Sequence, residues 1–293
     1  MITLKGQIIK CVGGCYTVEA PDGIYQARAR GIFRKNGLKP MAGDWVNLQL
    51  EDSAEPLITE IFERKNELIR PPMANLDLAL LVVSACEPSP NAFVLDKLIS
   101  IFESKKIETV LIFTKSDKAL IDEFASVYQR IGYRTFTVNN VTGEGCAEIK
   151  EYIKGKISAV IGNSGVGKSS LLGHLVPEFD FKTNEISKKL GRGRHTTREV
   201  GLFMLKDGGY IADTPGFSTV EISKYGKIAS ADLAECFVEF VPYLEKCRFK
   251  DCRHFKETDC AVKKAVKAGE IAVSRHESYC RLYTETKENE NTY

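Results

Sequence analysis

A glycine-rich segment that ends in a lysine and two serines is the stretch of this sequence best suited to chemistry. Residues 162–170 read Gly-Asn-Ser-Gly-Val-Gly-Lys-Ser-Ser and fit the pattern G-x-x-x-x-G-K-[ST]. Glycines leave room for backbone N–H groups to wrap a phosphate chain at the positive end of a helix dipole. An apolar run precedes the segment and a helical pattern follows it, which favours a phosphate-binding loop over a chance glycine turn. The predicted nucleotide-binding residues here are Asn163, Ser164, Gly165, Val166, Gly167, Lys168, Ser169 and Ser170.

Several positions in and after this loop are predicted to act on the outer phosphates and on magnesium. The Lys168 amine can reach the outer phosphates, which makes it a candidate catalytic group, and the Ser169 hydroxyl can hold Mg²⁺. Asp213 ends a predicted strand and suits the magnesium shell of a P-loop enzyme. Gly216, in the sequence Asp-Thr-Pro-Gly, offers a backbone N–H that could sense the last phosphate. The sequence therefore predicts a nucleoside triphosphate bound together with Mg²⁺.

A basic segment with regularly placed glycines lies between these two motifs. Residues 188–198 read Lys-Lys-Leu-Gly-Arg-Gly-Arg-His-Thr-Thr-Arg. Thr196 and Thr197 could close over magnesium when the triphosphate is present, so the segment is predicted to become ordered with nucleotide. A second interpretation is that the basic segment binds RNA, and both interpretations can hold together.

Three cysteines and a histidine near the end of the chain have the spacing of a metal site. Cys247, Cys252, His254 and Cys260 form C-x₄-C-x-H-x₅-C, which suits a closed tetrahedral site for one Zn²⁺ per chain. The alternative is a set of reduced thiols without a metal. A basic surface is predicted around the site, formed by Lys246, Arg248, Lys250, Arg253, His254, Lys256, Lys263, Lys264 and Lys267.

The choice of base depends on a short motif that follows a buried strand at 108–113. Thr114-Lys115-Ser116-Asp117 resembles the Asn-Lys-x-Asp signature of GTPases, with threonine in place of asparagine, and Thr114, Lys115 and Asp117 are predicted to bind the nucleotide. Asp117 would accept hydrogen bonds from guanine N1 and N2, a donor pair that adenine lacks, and the Lys115 stem would lie along the base. Asn139, in a loop at 137–143, is predicted to complete the guanine pocket. Both base-reading segments precede the P-loop, so the domain is predicted to be a circularly permuted GTPase.

The elements that must position these residues fall into three parts. Five short strands broken by turn signals predict that residues 1–68 form a small barrel of the OB type. One arm of the barrel is basic and suits RNA, although solvated charges explain it equally well; it contains Arg28, Arg30, Arg34, Lys35 and Lys39. Alternating apolar strands and amphipathic helices in 69–220 predict a doubly wound α/β domain with a mainly parallel sheet. Residues 64–72, with two prolines, are predicted to be the linker between these parts.

Residues 221–293 are predicted to be a mainly helical zinc-binding domain with a helical tail, of which 285–293 should be disordered. The 293 residues suit about two domains and a smaller third.

No apolar run approaches the roughly 20 residues of a membrane helix, and no secretory pattern opens the chain. The protein is therefore predicted to be cytoplasmic and without a membrane partner. It is also predicted to be a monomer, and its nine cysteines are predicted to be thiols or metal ligands. A net charge of +2 leaves any nucleic-acid surface to local clusters.

This combination of barrel, permuted GTPase and zinc knuckle resembles the RsgA/YjeQ family, bacterial GTPases that act in late maturation of the small ribosomal subunit. The residues that carry the resemblance, besides the motifs above, are Arg70-Pro71, Ala74-Asn75 and Asp213 to Phe217. The resemblance implies small-subunit and rRNA partners and hydrolysis stimulated by the subunit. Many GTPases place a water-orienting glutamine where this chain has Phe217. The resemblance points instead to His195 as the group that positions water, with Lys168 and Thr197 as further catalytic residues; contact with phosphate or rRNA is the alternative role for His195.

Two other classes of protein are compatible with parts of the sequence. A P-loop kinase would share Lys168 and its loop but would leave the Lys115–Asp117 pair unexplained. A nucleotide-gated RNA-binding module with little turnover would keep guanine binding, and Phe217 is compatible with it. Phosphate release from GTP and ATP, with and without small subunits, separates all three.

Overall fold

The computed structural model describes residues 2–31, 33, 37–51, 54–69, 71–177, 201–213 and 228–291. Strands come first in the chain and helices dominate its end. The strands are β1 (Ile2–Val12), β2 (Cys15–Ala20), β3 (Gly23–Ala29), β4 (Trp45–Leu50), β5 (Leu57–Ile61), β6 (Glu67–Ile69), β7 (Pro72–Ala74), β8 (Leu78–Ser84), β9 (Glu108–Thr114), β10 (Arg134–Val138), β11 (Ile157–Ile161), β12 (Gly201–Met204) and β13 (Tyr210–Asp213). The helices are α1 (Ala92–Ser104), α2 (Asp122–Ile131), α3 (Cys146–Ile153), α4 (Lys168–Leu175), α5 (Val241–Leu244), α6 (Ala261–Lys267) and α7 (Val273–Asn291), with a 3₁₀ turn at Leu233–Cys236.

The first five strands close into a barrel. Their order is β1-β2-β3-β5-β4, and β4 pairs back to β1, so that no edge of this barrel is left open. Apolar residues alternate inward, as along β2, where Tyr16 and Val18 are buried. Ile8, Leu48 and Ile58 complete the fully buried interior. The predicted OB-type barrel is confirmed.

The barrel is continuous with the sheet of the central domain, a connection that the sequence did not indicate. Strand β1 pairs antiparallel with β12, with Lys10 opposite Gly201, and this pairing joins both parts into one eleven-stranded sheet. The Tyr210 hydroxyl donates to Glu19 Oε2 at 2.5 Å across the same junction. The two parts therefore share backbone hydrogen bonds.

The predicted linker at 64–72 is folded, so this prediction is wrong. Strands β6 and β7 form an antiparallel hairpin in which Leu68 and Met73 are fully buried. Arg64, just before the hairpin, donates two hydrogen bonds to the buried Asp44 carboxylate, at 2.7 and 2.8 Å. Apolar side chains on both sides of the turn thus outweigh the prolines, and the segment packs against the core.

The central domain has a mainly parallel sheet in the order β10-β9-β8-β11-β13, followed by antiparallel β12. The chain order reverses between β8 and β11, because β9 and β10 lie on one side of β8 and β11 lies on the other. Such a reversal opens a crevice at the carboxyl ends of the strands, which is where open α/β sheets bind ligands.

Helices cover both faces of this sheet, as predicted for a doubly wound domain. Leu80 and Val82 of β8 face the core under α3 and α4, whereas Ala79 and Leu81 face the core under α1 and α2. The strand is apolar on both faces for this reason.

The C-terminal domain has a core of its own, in which Phe237, Phe240 and Tyr279 pack together with ring centroids 5.0–5.3 Å apart. Helix α7 runs to Asn291, so the predicted disorder of 285–291 is wrong. The charged tail has partners on other elements: Lys97 pairs with Glu285 at 2.5 Å, and Ser230 donates through N and Oγ to Glu290. The hydrogen bond from the Ser230 backbone is the main reason that the pKa of Glu290 falls to about 2.

Among the described helices, none combines the length and the apolar character needed to cross a bilayer.

Candidate functional site

The predicted nucleotide residues come together at the carboxyl ends of the parallel strands. The phosphate-binding loop follows β11, the segment at 115–118 follows β9, and the loop at 139–145 follows β10. They enclose a cleft of about 440 Å³. Its lining consists of Lys115, Asp117, Lys118, Asn140, Val141, Ser164, Gly165, Gly167, Lys168, Ser169 and Ser170. The structure thus brings the predicted base-reading and phosphate-binding segments to one cavity, although Asp117 and Lys168 are about 50 residues apart in the chain.

The phosphate-binding loop depends on its glycines for specific physical reasons. Gly165 and Gly167 have φ angles of 81° and 100°, in the left-handed region that favours glycine. A Cβ on Gly162 would lie 2.6 Å from the Val82 carbonyl oxygen, so the loop passes close to β8 only because glycine is there. The Lys168 amine donates to the carbonyls of Gly162 and Asn163, at 2.7 and 2.5 Å. The amine is therefore held across the mouth of the loop, where outer phosphates would lie.

Two glycines, one just before α4 and one inside it, allow a test of this loop geometry. Gly167→Ala combines an unfavourable φ with a Cβ that would lie 2.0 Å from Asn140 Nδ2, so we expect nucleotide affinity to fall at least tenfold. Gly173→Ala is the matched control, because no described atom lies within 4 Å of its added Cβ and the site is helical. The control should keep affinity and gain about 0.5–1 kcal/mol of stability. Fluorescent-nucleotide titration and thermal unfolding measure both; equal affinities in the two variants would contradict the prediction.

The segment after β9 is fixed by its backbone and by its neighbours. Lys115 has a φ of 60°, and its amine donates to the Glu87 carbonyl. Asp117 lines the cleft, as predicted for a residue that reads guanine. Thr114, also predicted to contact nucleotide, is fully buried, and its hydroxyl donates to the Val166 carbonyl at 2.5 Å. This side chain therefore joins β9 to the phosphate-binding loop.

Two neighbouring asparagines in the loop after β10 make different contacts. Asn139 Oδ1 accepts hydrogen bonds from the backbone N–H groups of Val141 and Thr142, at 2.9 and 3.2 Å, and so stabilises its own loop. The Asn140 amide instead reaches the phosphate-binding loop. Asn140 is absent from the residues predicted above, since nothing in the local sequence distinguishes it from Asn139.

Two of the residues predicted to bind magnesium lie in the part of the chain that the structure describes. Ser169 lines the cleft, and Asp213 ends β13 beside β11, with Val160 opposite it in the pairing. The remaining predicted residues lie outside the part of the chain that the structure describes. They are His195, Thr196, Thr197, Gly216 and Phe217, together with Arg70 and with Arg34 and Lys35 of the basic barrel arm.

The four predicted zinc ligands converge in the C-terminal domain. Their ligand atoms all lie within 4.8 Å of one another. Cys247 Sγ and Cys260 Sγ are 3.9 Å apart, and His254 Nδ1 lies 3.5 and 3.4 Å from these sulfurs. Tetrahedral zinc with ordinary bond lengths requires separations of about 3.8 Å between sulfurs and about 3.6 Å between sulfur and nitrogen. The donor set therefore fits zinc in chemistry and in spacing.

The elements around the zinc ligands hold the ligand loop against α7. His276 Nε2 donates to the His254 carbonyl at 2.9 Å, and the Tyr279 hydroxyl donates to the Arg253 carbonyl at 2.7 Å. Glu257 accepts from the backbone N–H groups of Arg253 and Phe255. These contacts fix a backbone in which His254 has a φ of 55°.

A buried charge network docks this domain on the central one. Arg275 is 1% exposed, and its guanidinium donates to Asp96 at 2.7 Å and to Glu239 at 2.6 and 3.1 Å. The Tyr128 hydroxyl also donates to Asp96, at 2.9 Å. Burial raises the pKa of Asp96, and the facing guanidinium opposes that shift. Because an unpaired charge here would be costly, the network fixes α7 to α1 and α2.

A mainly parallel sheet with a P-loop at its switch point, and the segment of Lys115 and Asp117 in the same cleft, is the arrangement of a GTPase domain. Its base-reading strands precede the P-loop strand, so the domain is circularly permuted. The family model described as RsgA GTPase matches residues 61–223, and the RsgA N-terminal domain matches residues 5–58. This chain belongs to the RsgA GTPase family.

Relatives and solved structures agree with this assignment. The chain is 44% identical to the small ribosomal subunit biogenesis GTPase RsgA of Caldanaerobacter subterraneus subsp. tengcongensis, covering 99% of this chain and 98% of that protein. It is 41% identical to the protein of the same name from Bacillus cereus, covering 99% of each. The crystal structure of YjeQ from Thermotoga maritima matches with a TM-score of 0.82 and 34% identity, over 97% of this chain and 99% of that one. YloQ, a circularly permuted GTPase, matches at 0.81 with 35% identity, over 98% and 96%.

Proposed function

We propose that this protein is a GTP hydrolase that binds the small ribosomal subunit and acts in its late maturation, in the cytoplasm and as a monomer. The observation that carries the proposal is the single cleft lined by Asp117, Lys115 and the phosphate-binding loop. The names of the relatives, small ribosomal subunit biogenesis GTPases, support the ribosomal partner.

The cleft supports a specific arrangement of GTP. Asp117 accepts from guanine N1 and N2, and the Lys115 stem lies along the base. Backbone N–H groups of the phosphate-binding loop surround the phosphates, and the Lys168 amine neutralises the outer ones. Ser169, Asp213 and a threonine of the segment at 196–197 would hold Mg²⁺, which supplies charge stabilisation at the outer phosphates when bound.

We place the stimulation by the ribosome in the segment that contains His195. With Phe217 where many GTPases have a water-orienting amide, another group must position water, and His195 suits that role. His195→Ala is then expected to keep GTP affinity and subunit binding but to lower the stimulated rate about a hundredfold.

The measurement is phosphate release with and without small subunits at low salt. Subunit binding is followed separately by co-sedimentation of the protein with small subunits. If mature small subunits leave the wild-type rate unchanged, the ribosome-stimulated function fails and the nucleotide-gated RNA-binding module becomes the better account. If the stimulated rate survives in the variant, the role of His195 is wrong.

Two surfaces of the described residues suit RNA. On the barrel, the Lys5 amine lies 5.2 Å from the Trp45 ring and 4.8 Å from the Phe62 ring, and Trp45 is 41% exposed. Around the zinc ligands, residues 245–268 contain eight Lys and Arg against four Asp and Glu. There Arg248 lies over Phe249, which is 48% exposed. Exposed aromatic rings with adjacent cations favour unpaired nucleotides.

Two arginines of the predicted basic arm have side-chain partners on the barrel, and one of these partners is a carboxylate. Arg28 pairs with Glu55 at 2.9 Å, and Arg30 donates to Gln49 at 3.1 Å. Both pairs are on the surface, so phosphates could compete for the guanidinium groups at small cost.

A further inference from the structure

The side chain of Asn140 joins the loop after β10 to the phosphate-binding loop. Its Nδ2 donates to the Gly167 carbonyl at 3.3 Å. The same carbonyl accepts from Leu171 N at 3.0 Å, which is the first hydrogen bond of α4. A Cβ on Gly167 would lie 2.0 Å from Asn140 Nδ2, so the amide packs directly on the glycine. Asn140 is therefore attached at the residue where α4 begins.

A second contact holds the same residue from the other end of α4. His174 Nε2 lies 3.0 Å from the Asn140 carbonyl, and because a carbonyl only accepts, Nε2 carries the proton. The loop lies against this ring, since a Cβ on Gly143 would be 2.8 Å from His174 Nδ1. The side chain and the backbone of Asn140 are thus both bonded to α4, two turns apart.

We infer that Asn140 and His174 are positioning residues that set the distance between the base-reading and phosphate-binding parts of the cleft. Asp117 and Lys115 line one part of the cleft, from the segment after β9, and the phosphate-binding loop lines another part, from the segment after β11. The segment after β9 is itself attached to the end of β10, because Ser116 N donates to the Val138 carbonyl at 3.4 Å. A nucleotide that spans both parts gains its full affinity only when the two parts are held in register before binding. The inference rests on the proposed guanine site.

This role predicts a particular pattern of binding. GTP and ATP share the phosphate contacts, whereas only GTP uses Asp117, so loosening the loop should lower GTP affinity more than ATP affinity. GTP and GDP should weaken by the same factor, because Asn140 touches the loop and makes no contact that depends on the last phosphate. The rate at saturating GTP should stay near the wild-type value.

The two neighbouring asparagines provide a matched experiment. Asn139 acts as an acceptor, so Asn139→Asp keeps its hydrogen bonds. Asn140 acts as a donor, so Asn140→Asp sets an oxygen against the Gly167 carbonyl. Both variants add the same charge to the same loop, and comparing them removes general repulsion of the triphosphate. We expect Asn140→Asp to weaken GTP and GDP by about thirtyfold, and Asn139→Asp to have an effect at least fivefold smaller.

Uncharged variants complete the test. Asn140→Ala should weaken GTP about tenfold and lower the ratio of GTP to ATP affinity, and His174→Ala should act in the same direction. Their effects should be non-additive in the double variant, because both act on the position of one loop. Fluorescent-nucleotide titration gives the affinities, and thermal unfolding shows whether each variant is folded.

Equal losses in Asn140→Asp and Asn139→Asp, with wild-type preference for GTP intact, would overturn the inference and leave the proposed function standing. A lower melting temperature with normal GTP affinity in Asn140→Ala would also overturn it, since the role would then be structural only. A wild type that does not prefer GTP to ATP would instead remove the proposed guanine site.

Discussion

Replacing Asp117 with asparagine is expected to lower GTP affinity by about 10³-fold and to create affinity for xanthosine triphosphate. Asp117 lines the cleft, and in the proposed arrangement its carboxylate accepts hydrogen bonds from guanine N1 and N2. Xanthine has an oxygen at C2 in place of the amino group and therefore requires a donor there, which asparagine supplies. The change should leave the phosphate contacts as they are, because Lys168 and its loop belong to a different segment, the one after β11.

Competition titrations with GTP, XTP and ATP measure this exchange. Asp122→Asn is the matched control, because it makes the same chemical change five residues further along the chain. Asp122 is exposed at the start of α2 and does not line the cleft. It should keep wild-type affinity within about twofold. Unchanged GTP affinity in Asp117→Asn, with the variant folded, would show that the base is read elsewhere.

Loss of zinc is expected to unfold the C-terminal domain. Cys252→Ser removes one of four ligands, and structural zinc sites of this kind hold about 10–16 kcal/mol of folding free energy. Elemental analysis should find one zinc in the wild type and well below one in the variant, and limited proteolysis should cleave within residues 228–291. Cys280→Ser is the control, because Cys280 lies in the same domain and outside the ligand set. Stoichiometric zinc in Cys252→Ser would contradict the assignment.

The consequence for the central domain follows from the buried charge network. Unfolding of α7 withdraws Arg275 from Asp96 and uncovers the face of α1 on which α7 packs, so the Asp96 carboxylate becomes exposed to solvent. The central domain should lose the stability that this packing contributes, yet bind GTP within about threefold of wild type because its cleft has its own core. Zinc affinity should also fall with decreasing pH. Without metal, burial raises the pKa of Cys252 to about 12, so zinc must displace a proton to bind, and acid favours the protonated thiol.

The features that could be predicted from sequence alone are those whose physics is contained within a few consecutive residues. A phosphate-binding loop needs glycines with positive φ and the start of a helix, and residues 162–170 contain both. The zinc ligands lie within 14 residues, so their spacing indicates one site. Buried parallel strands such as β8 are apolar on both faces, which indicates a doubly wound sheet directly.

Only the tertiary structure decided how distant segments meet. Thr114 and Asn140 have the residue types of base contacts, but their partners in the phosphate-binding loop are 52 and 27 residues away. Arg275 and Asp96 are separated by 179 residues, and nothing local to either indicates the pair. The tail beyond residue 284 is polar enough to predict disorder, yet Glu285 and Glu290 find partners on other elements. Propensity and spacing act within one segment, whereas these contacts depend on packing between segments, and packing determines which polar group is buried and what it bonds.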